Sequence, residues 1–195
     1  MHEVFNRKYK KVLEILPDVA ECANRKLILV GGTALALFYL KHRISIDLDF
    51  IPVSGNDRKL KEELKGCLSK KGYRTTVGSF QNQFVVQFDD TGIKIEVFEP
   101  ECVVKFEEHV FAGRKVLVAG FEDILQMKEI AYKNRQEARD LFDIFCMLRS
   151  KNRGLEVIKR LVAKFGLPKN IGDINEMAAN RDDAQSFEKE VTDAS

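Results

Sequence analysis

Between Leu27 and Phe50 the chain reads LILVGGTALALFYLKHRISIDLDF, and its hydrophobic period changes three times. LILV is an apolar run too short for a helix and reads as a buried strand. Gly31-Gly32 then breaks the run. TALALFYL, Thr33 to Leu40, is rich in helix formers and starts a helix from the glycine turn. In ISIDLDF, Ile44, Ile46, Leu48 and Phe50 alternate with Ser45, Asp47 and Asp49, the period-two pattern of a half-buried strand. A strand, a tight turn, a helix and a second strand in immediate succession demand a sheet with helices packed on it.

The flanking sequence extends that plan. Lys8 to Ala23 has helical spacing in Val12, Leu13, Ile15, Leu16 and Val19, with Pro17 expected to limit or kink it. Lys59 to Lys71 reads as an amphipathic helix. Phe84–Phe88 and Ile93–Phe98 flank DDTG, a hairpin signal, and Val103–Phe106 and Lys115–Val118 read as shorter strands. From Phe121 onward the period becomes helical, in 121–135, 138–150 and 154–166. The expected fold is α/β (α+β): a sheet domain with an N-terminal helix over 1–120, and a C-terminal helical portion over 121–195 whose last 20 or so residues read as loosely held.

At 195 residues, 45% hydrophobic and 32% charged, the chain suits one globular domain with a helical appendage. No apolar run approaches the roughly 20 residues that span a bilayer, and the N-terminus lacks the apolar stretch of a signal peptide. A cytoplasmic protein with no membrane contact is expected. Cys22, Cys67, Cys102 and Cys146 form no CxxC pair and read as reduced, partly buried thiols. His2, His42 and His109 are scattered. The net charge of +2 implies no partner by itself. The lysine-rich segment Arg58 to Arg74 reads as the solvated face of a helix, or as a surface for a polyanion.

The chemistry concentrates in carboxylates. On a strand, residues i and i+2 share a face, so Asp47 and Asp49 project together about 6.5–7 Å apart. Two like charges on a strand need compensation, and a hard cation such as Mg²⁺ supplies it; an acidic exposed face is the alternative. Gly31, Gly32 and Thr33, between strand and helix, read either as a structural turn or as a cradle of N–H groups for phosphate. Thr33 would cap the helix or bond a phosphate oxygen. In IKIEVF, Glu96 shares a face with Lys94 opposite Ile93, Ile95 and Val97. If that strand lies beside ISIDLDF, Glu96 joins the aspartates as a third ligand or a base; otherwise it is a surface edge.

One further block is MKEIAYKNRQEARDLFDIF. On an unbroken helix, Lys128, Tyr132, Arg135 and Arg139 make one basic stripe, with Asp140 about 18 Å from Lys128. A break near Asn134 to Glu137, the reading adopted, folds Asp140 back. Surface pairs Glu129–Lys133 and Arg139–Asp143 are expected beside it.

In this order, GGTALAL, an arginine before S-x-D-L-D-F, K-I-E-V, and K-x-x-A-x-x-x-R-x-x-x-R-D-x-x-D resemble the AbiEii/AbiGii-type nucleotidyltransferases. These are polymerase-β-like enzymes known as toxins of bacterial toxin–antitoxin and phage-abortive systems. The resemblance covers Leu27 to Leu148. It implies metal-binding roles for Asp47 and Asp49, with Glu96 as third carboxylate where many relatives use aspartate. It implies a phosphate turn at Gly31, Gly32 and Thr33, support from Arg43 and Ser45, and roles in activity for Lys128, which would steady the phosphates, and Asp140. The implied activity is Mg²⁺-dependent transfer of NMP from an NTP to an acceptor, with one or two ions and pyrophosphate released. The implied acceptor is tRNA; a protein or a small-molecule antibiotic is the alternative, as is a catalytically silent nucleotide- or partner-binding module. A cognate antitoxin is implied by the family alone.

Overall fold

A computed structural model describes residues 2–194. Helix α1 (His2–Ala23) leads into strand β1 (Leu27–Val30), helix α2 (Gly31–Leu35) with a π-helical continuation over Ala36–Leu40, strand β2 (Leu48–Pro52) and helix α3 (Asp57–Lys70). Strands β3 (Arg74–Val77), β4 (Gln83–Gln87), β5 (Gly92–Val97), β6 (Phe106–Phe111) and β7 (Arg114–Ala119) follow. Helices α4 (Phe121–Arg135), α5 (Ala138–Ser150), α6 (Glu156–Phe165), α7 (Ile174–Met177) and α8 (Arg181–Asp193) close the chain.

The strands form one mixed sheet in the order β3-β4-β5-β2-β1-β7-β6. β1 pairs antiparallel with β2 and parallel with β7, and β2 pairs parallel with β5. The β4–β5 hairpin forms around DDTG as expected. On β5, Ile93, Ile95 and Val97 are fully buried while Lys94 and Glu96 are partly exposed on the other face. The buried face of β5 packs against α1 and α3, whose Leu60, Leu64 and Leu68 join the same core. α4 and α5 pack together, with α2 against both.

Several boundaries differ from the sequence reading for tertiary reasons. The second strand begins at Leu48, not Ile44. Residues 43–44 are held instead by the C-terminal part of the chain: Arg43 bridges Ala178, and the Ile44 N–H donates to the Met177 carbonyl. α1 runs through Pro17 without ending, its buried Val12, Ile15, Leu16 and Val19 outweighing one lost hydrogen bond. β3 was not foreseen. Val103 is exposed outside any strand, and β6 begins at Phe106. Within the C-terminal segment α8 buries Ala184, Phe187 and Val191, and Phe187 meets Phe142 and Phe145 of α5 edge-on. The spacing of those three residues was already helical.

The cysteine expectation fails for one pair. Cys22 at the end of α1 and Cys67 in α3 are disulfide-bonded, because the packing of α1 on α3 brings their Cα atoms to 5.7 Å. Cys102 and Cys146 are free. No helix among the described residues is long and apolar enough to cross a membrane.

Candidate active site

The two glycines are fixed by what approaches them. Gly31 has φ +72°, and a Cβ there would lie 2.7 Å from Oδ2 of Asp49. A Cβ on Gly32 would land on the Arg43 guanidinium and lie 2.9 Å from Oγ of Ser45. The turn therefore lets the backbone of α2 meet the β2 carboxylate on one side and the 43–45 segment on the other. Thr33 is buried, and its hydroxyl donates to the Asp47 carbonyl at 2.5 Å. It pins the chain entering β2 and does not cap α2, whose N-cap is Val30.

Asp49 lies in register with Glu96 across the parallel β2–β5 pair, about 4.8 Å away by strand spacing. Asp47 immediately precedes β2. Lys94 stands between them, its Nζ 3.3 Å from Asp47 and 3.9 Å from Glu96. The Glu96 carboxylate accepts from Asn82 Nδ2 at 2.6 Å and from Gln83 Nε2 at 2.9 Å, so both oxygens are oriented by amides. Burial, followed by repulsion from Asp47, pushes the Asp49 carboxyl up to about 6.

Across from these acids, α4 and α5 carry a buried charge network. The break falls where Gln136 takes the left-handed conformation (φ 52°) after Arg135. The reversal brings Asp140 within 2.9 Å of Lys128 Nζ. Lys128 also reaches Asp143 at 2.7 Å. Arg135 clasps Asp140 with Nε at 2.6 Å and Nη2 at 2.8 Å. Arg43 clasps Asp143 with Nε at 2.6 Å and Nη2 at 2.8 Å, and His42 Nε2 lies 2.7 Å from the same carboxylate. Burial alone would raise both aspartates, but Arg43 and Lys128 hold Asp143 well below the usual carboxylate range, and Lys128 with Arg135 holds Asp140 below it. Burial lowers the His42 imidazole more than Asp143 raises it.

The expected surface pairs do not form. Asp143 is fully buried and committed to Arg43 and Lys128, so it is not a partner for Arg139, and Glu129 faces Arg160 at 3.7 Å. Asp143 and His42 were missed as members of this network. The signal was present: Asp140 and Asp143, three apart on α5, share a helix face.

Acids and network meet at a cavity of about 340 Å³. Its walls include Gly31, Gly32, Arg43, Ser45, Asp47, Asp49, Lys94, Glu96 and Lys128; Asp140 stands behind Lys128, outside the lining. Phe98, Ile124, Met127 and Ala131 give one apolar wall, and Glu99 and Glu101 add acidic groups. Thr33 is likewise absent from the lining. Among the described residues, no three His, Cys, Asp or Glu side chains enclose a metal position by themselves. A Mg²⁺ ion requires less: one or two carboxylates, completed by water and substrate phosphate. Asp47 and Asp49 meet that requirement, and a cation there would relieve the repulsion from Asp47 that adds to the effect of burial on Asp49.

Residues 15–194 match the family described as "Nucleotidyl transferase AbiEii toxin, Type IV TA system". The chain belongs to the AbiEii nucleotidyltransferase family. It is thus a nucleotidyl-transferring enzyme, as the ordered motifs implied. An uncharacterised protein of Aquifex aeolicus (strain VF5) is 26% identical over 160 residues, covering 81% of this chain and 74% of its own. In fold, AbiEii architecture is shared with JHP933 from Helicobacter pylori (TM-score 0.53, 20% identity, 98% of this chain and 92% of that one). It is shared also with an antigenic nucleotidyltransferase-like protein from Paracoccidioides brasiliensis (TM-score 0.56, 18% identity, 94% and 93%).

Proposed function

We propose that this AbiEii enzyme transfers an NMP from an NTP to tRNA in a Mg²⁺-dependent reaction, acting as a cytoplasmic toxin held in check by an antitoxin. The observation that carries the reading is one cavity with carboxylates Asp47, Asp49 and Glu96 on its strand wall and Lys128 on its helix wall. Phosphoryl transfer calls for that division, since positioning and charge neutralisation supply most of its catalysis.

Asp47 and Asp49 would hold Mg²⁺, which when bound neutralises phosphate charge and polarises the α-phosphorus. An acceptor hydroxyl oxygen forms the new bond to the α-phosphorus, the bond to the β-phosphate bridging oxygen breaks, and pyrophosphate carries away the electron pair. Glu96, aligned by Asn82 and Gln83, takes the hydroxyl proton. Lys128 keeps one N–H beyond those given to Asp140 and Asp143, and directs it at phosphate. Asp140 and Asp143 act through Lys128 and Arg43 as positioning residues. Phe98 and Met127 offer an apolar wall for the base.

tRNA is the acceptor that family membership favours. The basic segment on α3 does not bear on it, because α3 packs on the face of β5 opposite Glu96, and Lys71 just beyond α3 is paired with Asp18 and Glu21. A second reading rests on Glu99 and Glu101: these acids beyond the aspartate pair suit a cationic small molecule as acceptor. Transfer of label from each α-³²P NTP, with Mg²⁺, into tRNA, protein and small-molecule pools separates the readings. We expect label in tRNA that is lost in Asp47→Ala; label confined to a small-molecule pool establishes the second reading, and none in any pool refutes both.

A further inference from the structure

Five cations line the cavity: Arg43, Lys94, Lys128, Arg135 and Arg139. Four are already engaged by carboxylates. Arg43 is on Asp143, Lys94 on Asp47, Lys128 on Asp140 and Asp143, and Arg135 on Asp140. Arg139, in the first turn of α5, has no ion pair or hydrogen bond among the described residues, and its Nε is buried from solvent. A guanidinium N–H shut away from water without an acceptor is unfavourable, and the two terminal Nη atoms of Arg139, which are not among the buried unpartnered atoms, remain open to an anion in the cavity. The nearby aspartates cannot supply the acceptor: Asp140 and Asp143 have their oxygens taken by Lys128, Arg135, Arg43 and His42.

We propose that Arg139 is the residue that grips the polyphosphate of the nucleotide, the part that departs as pyrophosphate. This rests on the nucleotidyl-transfer reading and refines it, since Lys128 was the expected phosphate ligand and two of its three N–H groups are spent within the protein. A guanidinium fork pairs two phosphate oxygens at once, which suits a leaving group that gains charge as its bond breaks. The two acidic neighbours of Arg139 on α5 leave it available, since Asp140 is held by Lys128 and Arg135 and Asp143 by Arg43 and Lys128.

The test measures binding to the full-length protein by calorimetry, with Mg²⁺ present, of non-hydrolysable NTP analogues, inorganic pyrophosphate, the corresponding nucleoside and tRNA. Wild type is compared with Arg139→Gln and Arg139→Lys, and thermal melting is recorded for each. The expected result for Arg139→Gln is at least a ten-fold loss of affinity for NTP analogue and pyrophosphate, with nucleoside and tRNA binding unchanged and the melting temperature not lowered. Arg139→Lys, which keeps the charge and loses the fork, falls between. Wild-type affinity for NTP and pyrophosphate in Arg139→Gln overturns the assignment and leaves the nucleotidyl-transfer reading standing. A loss confined to tRNA overturns it in favour of an acceptor phosphate. Absence of NTP binding to the wild type overturns both. Should Arg139→Gln fail to fold, full affinity in Arg139→Lys overturns the bidentate grip.

Discussion

Asp49 shows at the scale of one residue how a site is set against its own stability. Its carboxyl titrates at about 6, above the ordinary value of 3.8. As pH rises from 4 to 6 the unfolded chain gives up this proton before the folded one, so folding loses free energy across that window. Above it the full penalty remains, about 1–3 kcal/mol at roughly 1.4 kcal/mol per unit, reduced for partial solvent access. Asp49→Asn is therefore expected to melt higher than wild type at pH 7.5 without metal, by up to several degrees. The advantage should vanish by pH 4, and activity should be lost. Thermal melts at the two pH values check this, and equal melting at pH 7.5 would show that Asp49 carries no such cost. Sequence reasoning reached this residue because strand alternation is local. It could not reach Lys94 as the counter-charge of Asp47, since that contact depends on which strand lies beside β2.

At the scale of elements, the α4–α5 turn does most to assemble the site, and it was partly legible. The distance from Lys128 to Asp140 on a straight helix demanded a break, and the chain breaks after Arg135. What the sequence concealed was burial: Asp143, between Phe142 and Ile144 on an apolar helix, gave no sign that Arg43 would reach it from 100 residues away. The same blindness displaced the start of β2, because the bonds tying residues 42–44 to residues 177–179 are long-range. Asp143→Ala leaves Arg43 and Lys128 buried without that acceptor, and is expected to cost about 3–5 kcal/mol. The pH dependence has a defined sign. Arg43, His42 and Lys128 face Asp143, and its folded value is depressed, so its stabilisation is complete above the unfolded value near 4 and drains as pH falls below it. Denaturant melts at pH 7 and pH 3 should therefore show Asp143→Ala much weaker than wild type at pH 7 and the gap narrowing at pH 3. A gap that stays constant would mean the loss is packing and not charge.

Over the whole molecule, the two faces of the sheet carry different duties. One face holds the cavity, completed by α4, by Arg139 of α5 and by Met177 of α7. The other holds α1 and α3, joined by the Cys22–Cys67 disulfide across 45 positions of sequence. Closing a loop of that length removes unfolded-chain entropy worth up to about 4 kcal/mol. The overall sheet-with-helices plan was visible in the succession of periods, because each period is a local property. The bond was not, because cysteine spacing contains no information about which helices become neighbours. Its place opposite the cavity separates stability from catalysis. Cys22→Ser, or reduction of the wild type, is expected to lower the melting temperature by about 8–16 °C, at roughly 2–4 °C per kcal/mol for a chain of this size. Nucleotide affinity and transfer rate at 25 °C should stay within two-fold of the oxidised enzyme. Under reducing conditions the enzyme would then work from the lower of these stabilities with its site intact. Loss of nucleotide binding on reduction, with the fold retained by circular dichroism, would instead show that the α1–α3 layer sets the geometry of the cavity through β2 and β5.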